Sequence, residues 1–316
     1  MKILANDGLS NQAISLLEKN GFEVITTKVA QEQLSNYLNK NQIEIIIVHT
    51  ATKINQSIID ACPHLKVIGK LGIEKDTITI NNNHPNNIFF LNTPNASVNA
   101  VAELTIGHLI SGARYLHDSN RNMPLEGDTH FNELRKVYST GLELKEKTLA
   151  VIGFGKTGKA VAQKALGLGM RVIATAKEKM QAPVDIEFYT GQKVTITIDL
   201  MPLEELLPLA DFISLHVPKQ ESYLLTATEF EKMKQGVGII NTSMGELINE
   251  VELIEYLENK KISFVGLDVF QEEPNPAVQL LMHPDISLTP HIGGFTSETL
   301  NKMSIELANK IIDLYR

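Results

Sequence analysis

The stretch "TLAVIGFGKTGKAVAQKALGLG" occupies residues 148–169. An apolar run leads into glycines at positions 153, 155 and 158, and helix-forming residues follow them. A strand before the glycines and a helix after them predict a turn that binds the pyrophosphate of a dinucleotide. Gly153 would make the tight turn, Gly155 would let the backbone approach the pyrophosphate, and Gly158 would let helix and strand pack closely. The alternative, a glycine-rich turn that binds nothing, is the weaker interpretation in this context.

Short apolar runs alternate with helical patterns along the rest of the chain. Runs such as "IEIIIVHT" (43–50) are apolar on consecutive residues, as expected of parallel strands buried on both faces. This alternation predicts an α/β protein with two doubly wound parallel-sheet domains. One domain is expected to cover residues 1–97 together with 293–316, and the other residues 98–292. The last helical pattern, residues 297–315, is expected to pack back on the first domain.

The overall composition is typical of a globular protein and excludes several function classes. The 316 residues are 43% hydrophobic and 21% charged, and the formal net charge of -8 argues against general nucleic-acid binding. The single cysteine, Cys62, excludes an internal disulfide framework and a cysteine-rich metal site, and no metal site is predicted. No apolar run reaches the length of a membrane span, and the N-terminus leads directly into a strand. We therefore expect no membrane partner and a cytoplasmic location.

Two segments carry local predictions. The polar residues 118–141 interrupt the pattern and predict a long loop, which is either a dimerisation arm or a plain surface excursion. The segment "EFYTGQKVTITI" (187–198) alternates around Gly191 and Gln192 and predicts a hairpin.

The strand after the glycine motif should end on an acidic residue that binds the ribose 2′-hydroxyl of the cofactor. That strand instead ends at Ala176 and is followed by Lys177, Glu178 and Lys179. The lysines either meet the 2′-phosphate of NADP or are ordinary surface charges. The expected cofactor is NAD or NADP, and Ala176 disfavours a strict preference for NAD.

Three C-terminal motifs are more specific. They are "INTSMGELINEVEL" (240–253), "VGLDVFQEEP" (265–274) and "LTPHIGG" (288–294). In order and spacing they resemble the signatures of NAD-dependent D-2-hydroxyacid dehydrogenases, and most closely the D-3-phosphoglycerate dehydrogenase branch, which belongs to serine biosynthesis. The stretches "LKVIGKLGIEKDTI" (65–78) and "LNTPNASVNAVAEL" (91–104) are also similar to that branch, so the resemblance covers nearly the whole chain.

This resemblance implies a flavodoxin-like substrate domain, a Rossmann cofactor domain inserted into it, and catalysis in the cleft. It also implies a homodimer through the cofactor domain. The reaction would be hydride transfer between NAD(P) and C2 of a small-molecule 2-hydroxy or 2-keto acid.

Such a reaction needs a general acid-base, a carboxylate that orients it and a cation that holds the substrate carboxylate. His291 matches the family's acid-base histidine, and Glu273 matches its partner carboxylate. A carboxylate beside a histidine is expected to raise the pKa of that histidine. Met244 stands at the position of the family's arginine and carries no charge. By analogy with the loss of one preorganised donor, kcat should fall by about 10²–10³.

The remaining site residues follow from the glycine motif and the resemblance. His49 stands where the branch carries a phosphate-binding arginine, and Glu74 stands where the family has a glycine in the loop that binds the substrate carboxylate. A glutamate there would repel an anionic substrate. The predicted substrate contacts are His49, Ile73, Glu74 and Asn95. The predicted cofactor contacts are Gly153, Gly155, Lys156, Thr157, Gly158, Ala176, Lys177, His216, Val217, Pro218, Thr242, Ser243, Asp268, Gly293 and Gly294.

Two hypotheses follow. The first is a D-2-hydroxyacid dehydrogenase that uses the Glu273–His291 pair, with weak or altered activity. The second is an NAD(P)-binding protein without turnover, which would be a sensor, a scaffold, an inactivated copy or a redesigned member of the family. Met244 and Glu74 favour the second, and His291 and Glu273 favour the first.

Overall fold

The computed structural model describes residues 1–72, 78–79, 88–178 and 180–316. The chain divides into two compact units, of which the first comprises Met1–Ser97 with Gly294–Arg316 and the second comprises Val98–Gly293. Both units combine helices with largely parallel sheets, which confirms the predicted fold class. In the described part of the chain, no helix is long and apolar enough to cross a bilayer.

The first unit is built on a five-stranded parallel sheet in the order β2-β1-β3-β5-β7. This is the flavodoxin-like strand order. Its described strands are β1 (Lys2–Ala5), β2 (Glu23–Ile25), β3 (Ile45–Val48), β4 (Ile54–Asn55), β5 (Val67–Lys70), β6 (Ile78–Thr79) and β7 (Phe89–Asn92). Strands β4 and β6 form a separate parallel pair. The helices between these strands are α1 (Asn11–Lys19), α2 (Leu34–Lys40) and α3 (Gln56–Ala61).

Local sequence signals explain the limits of α1. The Ser10 hydroxyl accepts a hydrogen bond from the backbone N–H of Ala13 at 3.4 Å, as an N-cap does. Gly21 follows the helix with φ of +86°, a conformation that glycine adopts without steric cost. The helix over residues 297–314 packs on the same sheet, because a Cβ at Gly69 would lie only 2.9 Å from the Leu307 side chain.

The second unit carries an eight-stranded sheet in the order β10-β11-β9-β8-β12-β13-β14-β15. Its strands are β8 (Thr148–Ile152), β9 (Arg171–Thr175), β10 (Met180–Glu187), β11 (Lys193–Met201), β12 (Phe212–Leu215), β13 (Val237–Asn241), β14 (Ile262–Leu267) and β15 (Ile286–Leu288). Its helices are α4 (Val98–Ala113), α5 (Leu116–Glu126), α6 (Phe131–Val137), α7 (Lys156–Gly167), α8 (Leu203–Leu206), α9 (Ala227–Lys232), α10 (Glu250–Glu258) and α11 (Val278–Met282), and the C-terminal helix of the first unit is α12 (Ser297–Leu314).

Only β10 runs antiparallel in this sheet. Outward from β8, the order reproduces the doubly wound dinucleotide-binding arrangement, in which the strand order reverses between the parallel neighbours β8 and β12. Ligands of such sheets bind at the carboxyl ends of the strands beside this switch point.

The predicted loop over residues 118–141 was wrong, because most of these residues are helical. They form most of α5, all of α6 and a 3₁₀ turn at Tyr138–Thr140. Tertiary hydrogen bonds stabilise these short helices. The Tyr138 hydroxyl donates to the Asp118 carboxylate at 2.8 Å and accepts from the Asn122 amide at 2.8 Å. Such contacts override the low helix propensity of Asn, Ser and Asp.

The predicted hairpin is confirmed. Strands β10 and β11 pair antiparallel from Met180↔Leu200 to Glu187↔Lys193, and Gly191 in the turn has φ of +82°. The pairing begins seven residues before the segment on which the prediction rested.

Candidate active site

The carboxyl edge of the second unit's sheet gathers the residues predicted for the cofactor and for the acid-base step. They follow β8 (Gly153–Gly158), β9 (Ala176, Lys177), β12 (His216–Pro218), β13 (Thr242–Met244), β14 (Asp268) and β15 (His291). Parallel strands bring these loops together even though the residues lie more than 100 positions apart in sequence.

The glycine turn has the geometry that a pyrophosphate needs. Gly155 is the N-cap of α7, no side chain caps that helix, and a Cβ at Gly155 would meet nothing within 4 Å. No side chain therefore caps the N-terminus of α7, where a helix attracts an anion. Lys156 and Thr157 form this first turn. The turn fits a dinucleotide.

The other two glycines hold the turn against its neighbours. Gly153 has φ of +97°, and a Cβ there would lie 2.4 Å from the backbone oxygen of His216. A Cβ at Gly158 would lie 2.1 Å from the backbone oxygen of Gly153. The Gly153 N–H also donates to the hydroxyl of Thr175 at 2.9 Å, at the end of β9. The turn is therefore fixed to both neighbouring strands.

The end of β9 carries no acidic side chain among its described residues before Glu178. Ala176 packs partly buried against the core, and Lys177 is exposed. Lys179 lies outside the described residues. This edge therefore offers a cation and no carboxylate acceptor at the position where a ribose hydroxyl is usually bound.

The loop after β12 connects to the turn after β13. The imidazole of His216 contacts the Ser214 hydroxyl at 2.6 Å, and its enclosure lowers the pKa of His216 to about 3. It is therefore neutral at pH 7. The Ser243 hydroxyl donates to the backbone oxygen of Val217 at 2.6 Å, so the two predicted cofactor loops are hydrogen-bonded to each other. Pro218 is exposed beside them.

The turn after β13 presents Met244. Its side chain is partly buried against the core, and its backbone oxygen accepts a hydrogen bond from the Asn241 amide at 2.7 Å. Gly245 follows it, and a Cβ there would lie 2.0 Å from the backbone of Phe270. The turn is therefore well supported, but the thioether cannot clamp an anion. The lysines that flank this turn in sequence are each paired with a carboxylate, Lys234 with Asp211 at 2.8 Å and Lys260 with Asp285 at 2.7 Å.

His291 and Glu273, the predicted acid-base pair, are in direct contact. The Nδ1 atom of His291 lies 2.8 Å from Oε2 of Glu273, and both side chains are partly exposed, at 39% and 35%. The other oxygen of Glu273 accepts from the Phe270 N–H at 3.0 Å, which fixes the carboxylate. His291 has φ of +53°, a left-handed conformation that is uncommon outside glycine and tends to occur at functional sites.

A cavity of about 410 Å³ adjoins this pair. It is lined by Phe270, Glu273, Pro274, Pro276, Leu281, Leu288, Thr289, Pro290 and His291. Nearby, Glu250 accepts from the Gln271 N–H at 2.7 Å, and burial raises the pKa of Glu250.

Asp268 holds the segment that carries His291. Its carboxylate accepts from the Thr289 hydroxyl at 2.6 Å and from the N–H groups of Ile292 and Gly293 at 2.8 and 2.7 Å. Thr242, buried directly after the neighbouring strand β13, bonds to the Thr105 hydroxyl at 2.8 Å. The cofactor roles assigned to Asp268, Thr242 and Gly293 stay predictions, whereas these structural contacts are direct.

The predicted substrate residues belong to the first unit. His49 follows β3, its N–H donates to Asp7 at 2.7 Å, and its ring centroid lies 5.1 Å from that of Phe295 with the ring planes tilted by 38°. Asn95 is exposed. A Cβ added at Gly294 would lie 3.5 Å from the Ser97 side chain. Ile73 and Glu74 lie outside the described residues.

Sequence reasoning missed two features. Lys70 ends β5, is only 2% exposed, and donates to the backbone oxygen of His49. A cation therefore lies beside the predicted substrate histidine. The second is His108 on α4, buried and bonded to Ser287 and Thr289. The signal was present, because Thr105, His108 and Ser111 recur every three residues along the part of α4 after Glu103, which is otherwise apolar. Among the described residues, no cluster of metal-ligating side chains occurs.

Comparison with known proteins identifies the family. Residues 106–293 match the model of the D-isomer specific 2-hydroxyacid dehydrogenase NAD-binding domain. The hydroxypyruvate reductase of Thermotoga maritima is 34% identical over 98% of this chain and 97% of its own length. The D-3-phosphoglycerate dehydrogenase of Archaeoglobus fulgidus is 32% identical over 99% of this chain, which spans only 57% of that relative.

A solved structure extends the comparison. An acyclic imino acid reductase in complex with NADPH and D-Arg is 27% identical, with a TM-score of 0.77 over 100% of this chain and 97% of that one. The strand order and the glycine turn of the second unit agree with the NAD-binding domain that the family model matches. The chain therefore belongs to the D-2-hydroxyacid dehydrogenases, a family of NAD-dependent oxidoreductases that act on CH–OH groups.

Proposed function

We propose that this chain interconverts a 2-keto acid and a D-2-hydroxy acid with NAD(P), as a slow enzyme of the D-2-hydroxyacid dehydrogenase family. The observation that carries the proposal is the 2.8 Å contact between His291 and Glu273 on the sheet edge that also carries the glycine turn. In this proposal, the second unit is the cofactor domain and the first unit is the substrate domain.

The acid-base step follows from the geometry of the pair. Glu273 accepts from Nδ1 of His291, so Nε2 is the atom that exchanges a proton with the substrate. In reduction, a dinucleotide held at the Gly153–Gly158 turn would supply the hydride to C2, and His291 would give the proton to the carbonyl oxygen. In oxidation, His291 removes the hydroxyl proton. The partial exposure of His291 lets it regain or release that proton through solvent.

Met244 is the reason to propose slow turnover. An arginine at this position would hold the substrate carboxylate and polarise the carbonyl with two charge-assisted hydrogen bonds. Methionine provides neither. By comparison with the removal of one oxyanion donor, kcat should be about 10²–10³ lower than with the arginine.

The substrate is proposed to be a short 2-keto acid. The relative named hydroxypyruvate reductase spans this chain almost end to end, which supports hydroxypyruvate. His49 offers a weaker phosphate contact than an arginine, although the buried Lys70 adds a cation beside it. We therefore expect hydroxypyruvate to be preferred over 3-phosphohydroxypyruvate.

The proposed cofactor preference is for NADPH or for neither cofactor. Ala176 removes the acceptor for a ribose 2′-hydroxyl, and the exposed Lys177 is the neighbouring charge that suits a 2′-phosphate. The similar imino acid reductase was solved with NADPH.

A homodimer and a cytoplasmic location complete the proposal. Exposed apolar side chains cluster in sequence on α5 and α6, at Leu116, Met123, Leu125, Phe131 and Val137, and such patches mark association surfaces. Sedimentation should show that the wild type is a dimer and that the double variant Leu125→Glu/Phe131→Glu is a monomer. Tyr189→Glu, on the exposed hairpin turn, is the matched control. A dimer unaffected by the pair would contradict this surface. The single cysteine suits a reducing compartment.

The test separates cofactor binding from turnover. Binding of NADH and NADPH is titrated by cofactor fluorescence. Their oxidation is then followed with hydroxypyruvate, 3-phosphohydroxypyruvate and 2-ketoglutarate. Each keto acid is tested with and without ammonium, which converts it to the imine. Slow oxidation above the enzyme-free rate, lost in His291→Gln, supports the proposal. Binding without turnover on every substrate supports the second candidate, a non-catalytic NAD(P)-binding protein, which Met244 favours. Neither binding nor turnover contradicts both.

A further inference from the structure

A chain of buried hydrogen bonds connects α4 to the segment that carries His291. His108 is 3% exposed, its Nδ1 lies 3.0 Å from the Ser287 hydroxyl, and its Nε2 lies 2.9 Å from the Thr289 hydroxyl. Thr289 in turn donates to Asp268, which accepts from the N–H groups of Ile292 and Gly293. Space for the imidazole exists because residue 266 is glycine, where a Cβ would lie 2.6 Å from that of His108.

The direction of these hydrogen bonds is fixed from one end. An ionised carboxylate only accepts, so the Thr289 hydroxyl proton must point to Asp268. The oxygen of Thr289 must then accept from His108, which places a proton on Nε2. The Nδ1 atom of the neutral ring is then an acceptor that faces the Ser287 hydroxyl, which also lies 3.3 Å from the Ser111 hydroxyl. Burial lowers the pKa of His108 to about 4, so this neutral form persists at pH 7.

The far end of the chain bears on His291. The backbone of His291 is left-handed, with φ of +53°, and a conformation of this kind persists only where its surroundings determine it. Asp268 accepts hydrogen bonds from the two residues that follow His291 in sequence. Thr289, two residues before His291, is hydrogen-bonded to both Asp268 and His108. The residue that holds Thr289 in place therefore affects where the His291 ring stands beside Glu273.

We infer that His108 is a positioning residue, which as the Nε2–H tautomer holds Thr289 and Asp268 and through them the backbone of the His291 segment. Its catalytic consequence rests on the proposed function, whereas its grip on residues 292 and 293 does not. His108 itself touches no reacting atom.

The primary test is amide hydrogen exchange at Ile292 and Gly293. His108→Leu should raise exchange there about 3- to 10-fold, the range for loss of one net hydrogen bond, relative to core amides of β8. His108→Gln, which keeps a donor near the Nε2 position, should restore protection. Ser287→Ala, which removes the partner on the other ring nitrogen, should leave it unchanged. Equal effects of His108→Leu and Ser287→Ala, or uniform exchange increases throughout the unit, would overturn the inference.

Two further readouts are independent of simple packing. Long-range ¹H–¹⁵N spectra should show the His108 ring protonated on Nε2 and not titrating between about pH 5 and 8. A proton on Nδ1 would contradict the inference.

If turnover is measurable, His108→Leu should lower kcat about 10- to 100-fold, as small misplacements do, and change KM little. Thr289→Val should behave alike, and the double variant should be no worse than either. Additive losses would contradict a single chain. If no turnover occurs, the proposed function fails while the exchange and spectral tests still decide this inference.

Discussion

Glu273 and His291 are 18 residues apart in sequence, yet their side chains are 2.8 Å apart because the loops after β14 and β15 meet at one sheet edge. The histidine can exchange a proton, and the carboxylate fixes which nitrogen does so. Met244, one strand further along the sheet, supplies no charge. At the residue scale, the structure therefore brings the proposed acid-base pair together and places an uncharged side chain at the proposed clamp position.

Removing the acid-base group should nearly abolish turnover. His291→Gln should lower kcat by about 10²–10⁴, the usual contribution of a general acid-base. Glu273→Gln should have a smaller effect, because the ring keeps a hydrogen-bond partner but loses a charge. Steady-state rates measure this, and thermal melts verify that both variants fold. Equal rates for wild type and His291→Gln would contradict the assignment.

The residue at the end of β9 should control cofactor choice. Ala176→Asp introduces the carboxylate that binds a ribose 2′-hydroxyl and repels a 2′-phosphate. We expect tighter NADH binding and weaker NADPH binding, measured as dissociation constants by fluorescence titration. Ala176→Asn is the matched control, since it has the same shape without the charge. A parallel change for both cofactors would contradict this role.

At the scale of elements, the β8–α7 turn separates packing from binding. Gly158→Ala would push a methyl group against the backbone oxygen of Gly153, at 2.1 Å before relaxation. Gly155→Ala would add the same methyl group in open space. We expect Gly158→Ala to lower the melting temperature and weaken cofactor binding. Gly155→Ala should weaken only binding, because its methyl group meets the pyrophosphate. If Gly155→Ala binds NAD(P)H normally, the pyrophosphate does not lie over this turn.

Elements with strong periodicity were predictable, and those fixed by distant contacts were not. The consecutive apolar residues of β3 and the glycines of the β8–α7 turn specify their structure locally. Helices α5 and α6 depend on Tyr138 reaching Asp118, 20 residues away, which no local pattern encodes. The Thr289–Asp268 contact likewise depends on strand order, so the partners of His108 were not predictable, although the spacing of Thr105, His108 and Ser111 marks a polar stripe on its helix.

At the scale of the whole molecule, the buried His108 and the partly buried His216 should make stability depend on pH. The pKa values of His108 and His216 in the folded chain are about 4 and about 3, below the ordinary value of 6.5. The unfolded chain binds the extra protons, so stability is fully present above pH 6.5 and is lost as pH falls toward those values. His108 alone should contribute roughly 3 kcal/mol to this loss.

Urea unfolding at pH 7.5, 6 and 5 measures this dependence. His108→Gln should be less sensitive to pH than wild type over this window, because the buried titrating group is gone. Ser287→Ala keeps the imidazole and should retain most of the slope. If the wild type becomes more stable on acidification and His108→Gln does not, the pH dependence has the wrong sign and contradicts the neutral buried ring.

The central claim is that the chain keeps a working acid-base pair and has lost its substrate clamp at Met244. The most direct measurement is the rate of NAD(P)H oxidation with hydroxypyruvate by wild type, Met244→Arg and the matched apolar control Met244→Leu. We predict that the arginine raises kcat/KM by about 10²–10³, that leucine does not, and that His291→Gln removes the gain. An arginine variant that folds, binds the cofactor and is no faster than the leucine variant would contradict the claim.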